Sequence, residues 1–213
     1  MTKILHSLAA LVLALAPVAV QAAGNPFNLT VQYAAETVTG TGDHAMLGKL
    51  WRTPTALRQE FIQGGRPQVV IMQIDTDTGW LLMPDQKMAV QSDLAGLNLP
   101  LTALATGQGV QSSPVGRETI AGYSTTKYKV SGTDASNEFT GFVWATNDGI
   151  LMKAEGDGAH AGQAGHINAV LRNVRIGPQD PALFAPPADY RVMKVRGSDL
   201  GAMLQMLQSL QKR

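Results

Sequence analysis

The sequence predicts a mainly β protein with a few helices, of the α+β class, built as an antiparallel meander. Its 213 residues include 22 glycines and 11 prolines, which indicates many turns. Only 15% of the residues are charged, below the roughly 25% typical of globular chains. From Leu29 onward, alternating or β-branched runs are separated by turn residues at intervals that suit antiparallel strands.

The individual strands are predicted from these runs and the turns between them. Residues 56–63 alternate between two faces, one of which contains Leu57 and Phe61, and this favours a strand with one wet face. Asn147-Asp148-Gly149 is a strong hairpin signal. The glycine- and alanine-rich residues 157–165 predict a mobile loop. The predicted strands are residues 29–38 (with a helix as the alternative), 46–52, 56–63, 68–75, 79–83, 87–91, 122–131, 138–146, 150–155 and 166–175.

Two further segments are predicted to be helical. In residues 92–109 leucines recur without alternation and Pro100 interrupts any long helix, which indicates short helical pieces lying over an apolar surface. Ser198 can cap an amphipathic helix over residues 198–213. We expect that helix to pack on the sheet, with docking to a partner or to a membrane surface as the alternative.

The first 22 residues are typical of a signal peptide. Lys3 supplies a positive charge, residues 4–20 are apolar, and Val20 and Ala22 place small residues before the expected cleavage site. A membrane anchor is the alternative, but the run is shorter than the ~20 apolar residues of a comfortable span. We therefore expect a periplasmic protein cleaved after Ala22, with one domain over residues 23–197 and no integral membrane segment.

Charge and composition exclude several classes of function. Seventeen basic and sixteen acidic residues give a net charge of +1 without a basic block, so nucleic acid is not an expected partner. The absence of cysteine excludes disulfides, thiolate metal sites and a cysteine nucleophile. Length allows one sizeable core rather than two full domains.

Motifs for catalysis or metal binding are weak. Residues 75–79 resemble the start of a calcium loop, but the third ligand is absent and the glycine comes early. His160 and His166 flank a glycine-rich segment that would not fix ligand geometry, and His44 is distant in sequence. Ser124 lacks the nucleophile elbow. We therefore predict no enzyme activity, no metal and no cofactor.

Large apolar residues are spread over many of the predicted strands. A curved antiparallel sheet with an apolar covering segment encloses a cavity readily, and methionine suits variable apolar ligands. An ordinary core is the alternative for any one residue. The residues predicted to line a hydrophobic cavity are Trp51, Leu57, Phe61, Met72, Trp80, Leu82, Leu97, Leu101, Leu104, Trp144 and Met152.

The order and spacing of several short motifs resemble the DUF4412 family, a relative of the LolA/LolB-like superfamily of outer-membrane lipoprotein carriers. The resemblance covers about residues 45 to 195. It rests on Gly48-Lys49-Leu50-Trp51, Leu57-Arg58-Gln59-Glu60, residues 75–84 with Lys87-Met88, residues 116–122 with Thr126-Lys127-Tyr128, Gly141-Phe142-Val143-Trp144 with Asp148-Gly149-Ile150, and residues 180–184 with Pro187-Ala188-Asp189-Tyr190.

This resemblance implies a half-open antiparallel barrel around helical lid segments, with an apolar interior that shields acyl chains in the carrier relatives. In those carriers an arginine on a strand holds the lid, and Arg58 is the similar position here. The helix over residues 198–213 departs from the simplest carrier pattern. We expect a non-enzymatic protein that holds a lipid, acyl chain or other hydrophobic ligand, or alternatively an envelope interaction or sensor module for a protein or lipoprotein partner.

Overall fold

The computed structural model describes residues 25–40, 45–97, 102–133, 137–160 and 163–196. The predicted signal peptide and the predicted helix over residues 198–213 lie outside these ranges, as do His44 and Leu101. The side chains of Leu97 and His160 also lie outside the described part.

Within these ranges, the chain forms one twelve-stranded sheet and two very short helices, α1 (Leu94–Leu97) and α2 (Thr102–Thr106). The predicted α+β class is therefore almost entirely β in the described residues. The strands are β1 (Tyr33–Thr39), β2 (Met46–Arg52), β3 (Ala56–Gln63), β4 (Arg66–Gln73), β5 (Thr78–Met83), β6 (Met88–Ser92), β7 (Val110–Ile120), β8 (Tyr123–Thr133), β9 (Asn137–Ala145), β10 (Leu151–His160), β11 (Gln163–Ile176) and β12 (Arg191–Lys194).

The sheet joins two antiparallel meanders. Strands β1 to β6 pair in sequence order, as do β7 to β11, and β1 pairs with β11 to make the order β12-β6-β5-β4-β3-β2-β1-β11-β10-β9-β8-β7. Only β12 is parallel to its neighbour, β6. The sheet is open because its two outermost strands, β12 and β7, each have one paired neighbour. The predicted meander is confirmed.

Three parts of the secondary structure differ from the sequence prediction. Of residues 157–165, which were predicted to be a loop, residues 157–160 continue β10 and residues 163–165 begin β11, and Asp157 is paired with His166 across the two strands. Glycine lowers strand propensity, but here the ladder to β9 and β11 satisfies the backbone. The exposed edge strand β7 and the four-residue strand β12 were not predicted, since neither shows an apolar alternation.

Curvature is built into the junction of the two meanders. The register between β1 and β11 shifts between Ala34 and Glu36, where β11 contains one extra residue. Asn173 lies in this bulge with φ of 50°, a left-handed conformation that asparagine tolerates, and its Nδ2 donates to Glu36 Oε2 at 2.7 Å. A bulge bends its strand and increases the local twist. The sheet therefore curls where its two halves meet.

The two faces of the first meander are both apolar. We call the face that contains Leu57, Val70 and Met72 the inner face; these side chains share a core cluster with Leu171 of β11. The opposite, outer face carries a separate cluster of Ala56, Val69, Ile71, Leu82, Ala89 and Phe184. Alternation along each strand assigns its residues to one face or the other.

The C-terminal part of the described chain covers the outer face. A 3-10 turn, Pro181–Phe184, is capped by the Asp180 carboxylate, which accepts from the Ala182 backbone N–H at 2.9 Å. Gln73 Nε2 donates to the Phe184 carbonyl at 3.0 Å. Between this turn and β12, Asp189 forms a salt bridge with Lys87. Within the described residues, this segment thus covers part of the outer face of the first meander.

We predict that Gly141→Ala destabilises the fold by about 1–3 kcal/mol, the usual cost of overpacking. Gly141 of β9 is paired with Gly156 of β10, and a Cβ at Gly141 would overlap the Glu155 carbonyl oxygen. Urea unfolding measures the change. Gly165→Ala is the control, because a Cβ there meets open space. Equal stability of the two variants would contradict this close approach of β9 and β10.

Candidate functional site

A cavity of about 600 Å³ lies against the inner face. This volume is within the range of small-molecule sites. Residues of β4 and β10, which are separated by four strands in the sheet, line the same cavity, so the sheet curves around it. Apolar side chains dominate the lining: Phe27, Leu29, Tyr33, Met46, Leu47, Leu50, Leu57, Phe61, Val70, Met72, Leu104, Ala105, Leu151, Ala154, Ile167, Ala169, Val170 and Leu171.

Two segments outside the sheet bound this cavity. Leu104 and Ala105 of α2 line it from one side, and Leu104 is buried. Phe27 and Leu29 line it at the N-terminal segment, which is tied to the β9–β10 turn because Thr30 N–H donates to the Asp148 carbonyl at 3.0 Å. The cavity is therefore bounded by the sheet, α2 and the segment before β1.

Arg52 connects the sheet to α2. Its side chain is only 7% exposed and lines the cavity. Nη1 donates to the Ala56 carbonyl at 3.1 Å and Nη2 donates to the Ala105 carbonyl at 2.8 Å. Burial lowers the pKa of Arg52, and the neighbouring Tyr33 opposes that change. Since arginine stays protonated in proteins, a charged guanidinium lies in a largely apolar wall and connects α2 to the end of β2.

Tyr33 lies beside Arg52, since the two residues face each other across β1 and β2. Its side chain is buried and lines the cavity. Burial raises the pKa of Tyr33 to about 12, and the charge of Arg52 partly offsets the rise. A phenol and a guanidinium therefore lie side by side in a mainly apolar wall.

The structure brings together some of the predicted cavity residues and separates others. Leu57, Phe61, Met72 and Leu104 line the cavity. Met152 is fully buried in the core cluster of the inner face and does not reach the cavity. Three other predicted cavity residues lie on the outer face instead: Trp51, Trp80 and Leu82.

Trp144 also lies on the outer face. Its ring is flanked by the ammonium groups of Lys127 and Lys153, at 4.7 and 4.4 Å from the ring centroid. Its Nε1 donates to Glu118 Oε2 at 2.8 Å. The cation–π contacts and this hydrogen bond stabilise Trp144, which is buried on this face. The side chains of Leu97 and Leu101, which were also predicted to line the cavity, lie outside the described part of the chain.

Arg58 does not contact α2 in the described structure. It lies on the outer face, where it forms a salt bridge with Glu60 at 2.7 Å and donates from Nη1 to the Leu183 carbonyl at 3.0 Å. The contact with the short helix that the resemblance assigned to Arg58 is made instead by Arg52. Both arginines hold a covering segment, but on opposite faces of the sheet.

Several lining residues were missed by the sequence analysis. Tyr33, Leu50, Val70 and Leu171 are ordinary strand residues whose direction depends on the pairing of distant strands. For Arg52 a signal was present. It follows Leu50 by two residues in β2, so a strand that turns Leu50 inward also turns Arg52 inward.

The described residues contain neither a metal-binding cluster nor a membrane-spanning helix. No group of three or more histidine or acidic side chains is placed to hold a metal ion. In the same ranges, no helix is long and apolar enough to cross a membrane. The absence of enzyme activity, metal and cofactor stays a prediction.

Comparisons with known proteins define a fold rather than a family. No family model matches the chain, and no curated protein matches it. The chain is similar in structure to PNGF-II, with 11% identity and a TM-score of 0.51 over 83% of this chain and 33% of that one. At this identity the likeness shows a shared fold alone.

Other solved structures are similar at lower scores. The MucA/MucB complex of Pseudomonas aeruginosa is 15% identical, with a TM-score of 0.45 over 80% of this chain and 62% of that chain. A putative outer membrane lipoprotein-sorting protein domain from Vibrio parahaemolyticus is 12% identical, with a TM-score of 0.34 over 72% and 89%. This chain thus spans less than two thirds of the MucB chain. Its membership of the DUF4412 family stays a prediction.

We predict that stability falls between about pH 10 and pH 12 because of Tyr33. The buried phenol resists ionisation, so its contribution is complete below the unfolded pKa near 10 and is lost as pH rises toward the folded pKa of about 12. Two pKa units correspond to about 2–3 kcal/mol. Urea unfolding at pH 9 and pH 11.5 measures the loss. It should shrink in Tyr33→Phe and persist in Tyr190→Phe; an unchanged loss in Tyr33→Phe would exclude Tyr33 as its source.

Proposed function

We propose that the protein is a non-enzymatic binding protein of the periplasm that holds an acyl chain or another hydrophobic ligand on the inner face of its sheet. The supporting observation is the cavity of about 600 Å³ with a mainly apolar lining. The signal-like first 22 residues support export.

The lining suits a flexible apolar ligand. Leu50, Leu57, Val70 and Leu171 supply aliphatic surface from four different strands, and Met72 adds a polarisable side chain that adapts to ligand shape. Each methylene buried contributes about 0.8 kcal/mol before the cost of ordering the chain. Affinity would therefore grow with chain length until the cavity is full.

Helix α2 would act as the cover of this site. It contributes Leu104 and Ala105 to the cavity and is connected to the sheet by the hydrogen bond between Arg52 and the Ala105 carbonyl. In the carriers that the sequence resembles, an arginine on a strand holds the lid, and we assign that role here to Arg52. Entry of a ligand would require this hydrogen bond to lengthen or break.

A second candidate function is an interaction or sensor module for a protein or lipoprotein partner of the cell envelope. Leu47 at the start of β2 and Ile62 near the end of β3 are 71% and 56% exposed. Leu47 also lines the cavity, so an apolar surface continues from the cavity to the exterior. A partner that covers this rim would bury both side chains.

We predict that Phe61→Asp weakens binding of the neutral fluorescent probe N-phenyl-1-naphthylamine by about tenfold or more, since it places a charge in an apolar wall. Fluorescence titration of the detergent-free protein measures the change. Ile62→Asp is the matched control, because Ile62 is adjacent in β3 but exposed on the outer face. Equal binding by both variants would exclude this cavity as the probe site.

Native mass spectrometry of protein purified from periplasm without detergent tests the natural occupant. We expect a mass excess that disappears on denaturation and matches a lipid or other apolar compound. A mass equal to that of the chain beginning at Ala23 would support export but favour the second candidate function. A chain that retains residues 1–22 would contradict the predicted cleavage.

A further inference from the structure

Arg52 places a buried cation in the wall of the cavity without an acidic neighbour there. Among the described lining residues, it is the only lysine or arginine, and none is aspartate or glutamate. The described salt bridges pair the acidic side chains with other cations, and none includes Arg52. Its two hydrogen bonds go to neutral carbonyls, those of Ala56 and Ala105.

In this arrangement the charge of Arg52 has no opposite charge beside it among the described residues, and its N–H donors are only partly used. A guanidinium has more N–H donors than these two bonds use, and its planar donor fork matches a carboxylate or phosphate. Burial of a charge without an opposite charge is costly, whereas a bound anion offsets that cost. The adjacent Tyr33 adds a neutral hydroxyl to the same end of the wall.

The position of Arg52 at one end of β2 also defines a direction along the cavity in which a ligand would lie. Met46, at the other end of β2, lines the cavity and is 46% exposed, while Arg52 is buried. The two residues are separated by about 20 Å along the strand at ~3.4 Å per residue. Leu50 and Phe61 lie between these ends on the inner face. A cation at the closed end and an apolar route to the open end suit a single chain with a charged head.

We infer that the cavity binds a single-chain amphiphile with an anionic headgroup, a carboxylate or a phosphate, whose head lies at Arg52 and whose chain extends toward Met46. This inference rests on the proposed function and adds the class and direction of the ligand. The amide side chains of the lining, such as Gln59 and Gln63, supply no charge that would compete for the anion. His166 is the other basic side chain among the described lining residues, and its Nδ1 lies 3.0 Å from the Asp157 carboxylate.

Competition experiments on the wild-type protein test the headgroup. With N-phenyl-1-naphthylamine as reporter, we expect hexadecanoate or hexadecyl phosphate to displace the probe at about tenfold or more lower concentration than hexadecanol. The better of the two anions distinguishes a carboxylate from a phosphate source. Equal displacement by hexadecanol would overturn the inference while leaving an apolar site. Failure of the probe and of every competitor to bind would overturn the proposed function as well.

Substitution of the arginine tests the residue. Arg52→Met should weaken hexadecanoate binding by about tenfold or more and change hexadecanol binding little, and Arg52→Lys should restore part of the preference. Arg58→Met, on the outer face, is the control and should retain the preference. An Arg52→Met variant that retains the full preference for the anion would overturn the assignment.

A further measurement needs no variant and stands even if Arg52→Met fails to fold. The 13C signal of carboxyl-labelled hexadecanoate, bound to the wild-type protein, reports its ionisation as pH is lowered. Contact with a cation favours the carboxylate, so the bound acid should titrate at lower pH than the same acid in a neutral detergent micelle. Titration at the same or higher pH would contradict a head placed at Arg52.

Discussion

The pairing of β1 with β11 is the contact on which the rest of the structure depends. It joins residues far apart in sequence, such as Tyr33 and Ile176, and so converts two meanders into one sheet. Each meander consists of antiparallel strands paired in sequence order, and residues of both meanders line the cavity. The inner-face cluster forms only when Leu57 and Met72 of the first meander meet Leu171 and Met152 of the second. The pairing of β1 with β11 is therefore coupled to formation of the cavity.

The same junction determines how the sheet curves. The extra residue of β11 near Asn173 bends the strand beside β1, and the Asn173–Glu36 hydrogen bond holds the bend. A flat sheet of this width would leave its apolar inner face exposed. With the bend, residues of β4 and β10 line one cavity.

The sequence allowed the meander to be predicted, but it did not determine which apolar face turns inward. In β4 the run Val69, Val70, Ile71 and Met72 is apolar on both faces, and alternation alone cannot rank them. Trp80 was consequently assigned to the cavity although it lies on the outer face. That ambiguity disappears only when the covering segment is known.

Covering segments explain the remaining differences in the site. The chain after β11 covers the outer face, and its contacts with Arg58 and Gln73 depend on residues more than a hundred positions away. Its polar and proline-rich sequence gives no periodic signal of this packing. The glycines of β10, in contrast, gave a signal that was wrong. They predicted a loop, but pairing with β9 and β11 continues the strand.

The two arginines of β2 and β3 differ in how their charges are compensated. Arg58 has the carboxylate of Glu60 as well as the Leu183 carbonyl, so its charge is compensated within the described chain. Among the described residues, Arg52 has only carbonyl acceptors, and it is more deeply buried than Arg58. A compensated arginine stabilises a closed surface, because ligand binding there would have to displace a salt bridge. An uncompensated arginine in an apolar wall costs stability in the empty protein, and a ligand that supplies the missing anion recovers that free energy on binding. The outer face is thus suited to permanent packing, and the inner face to exchange of an occupant.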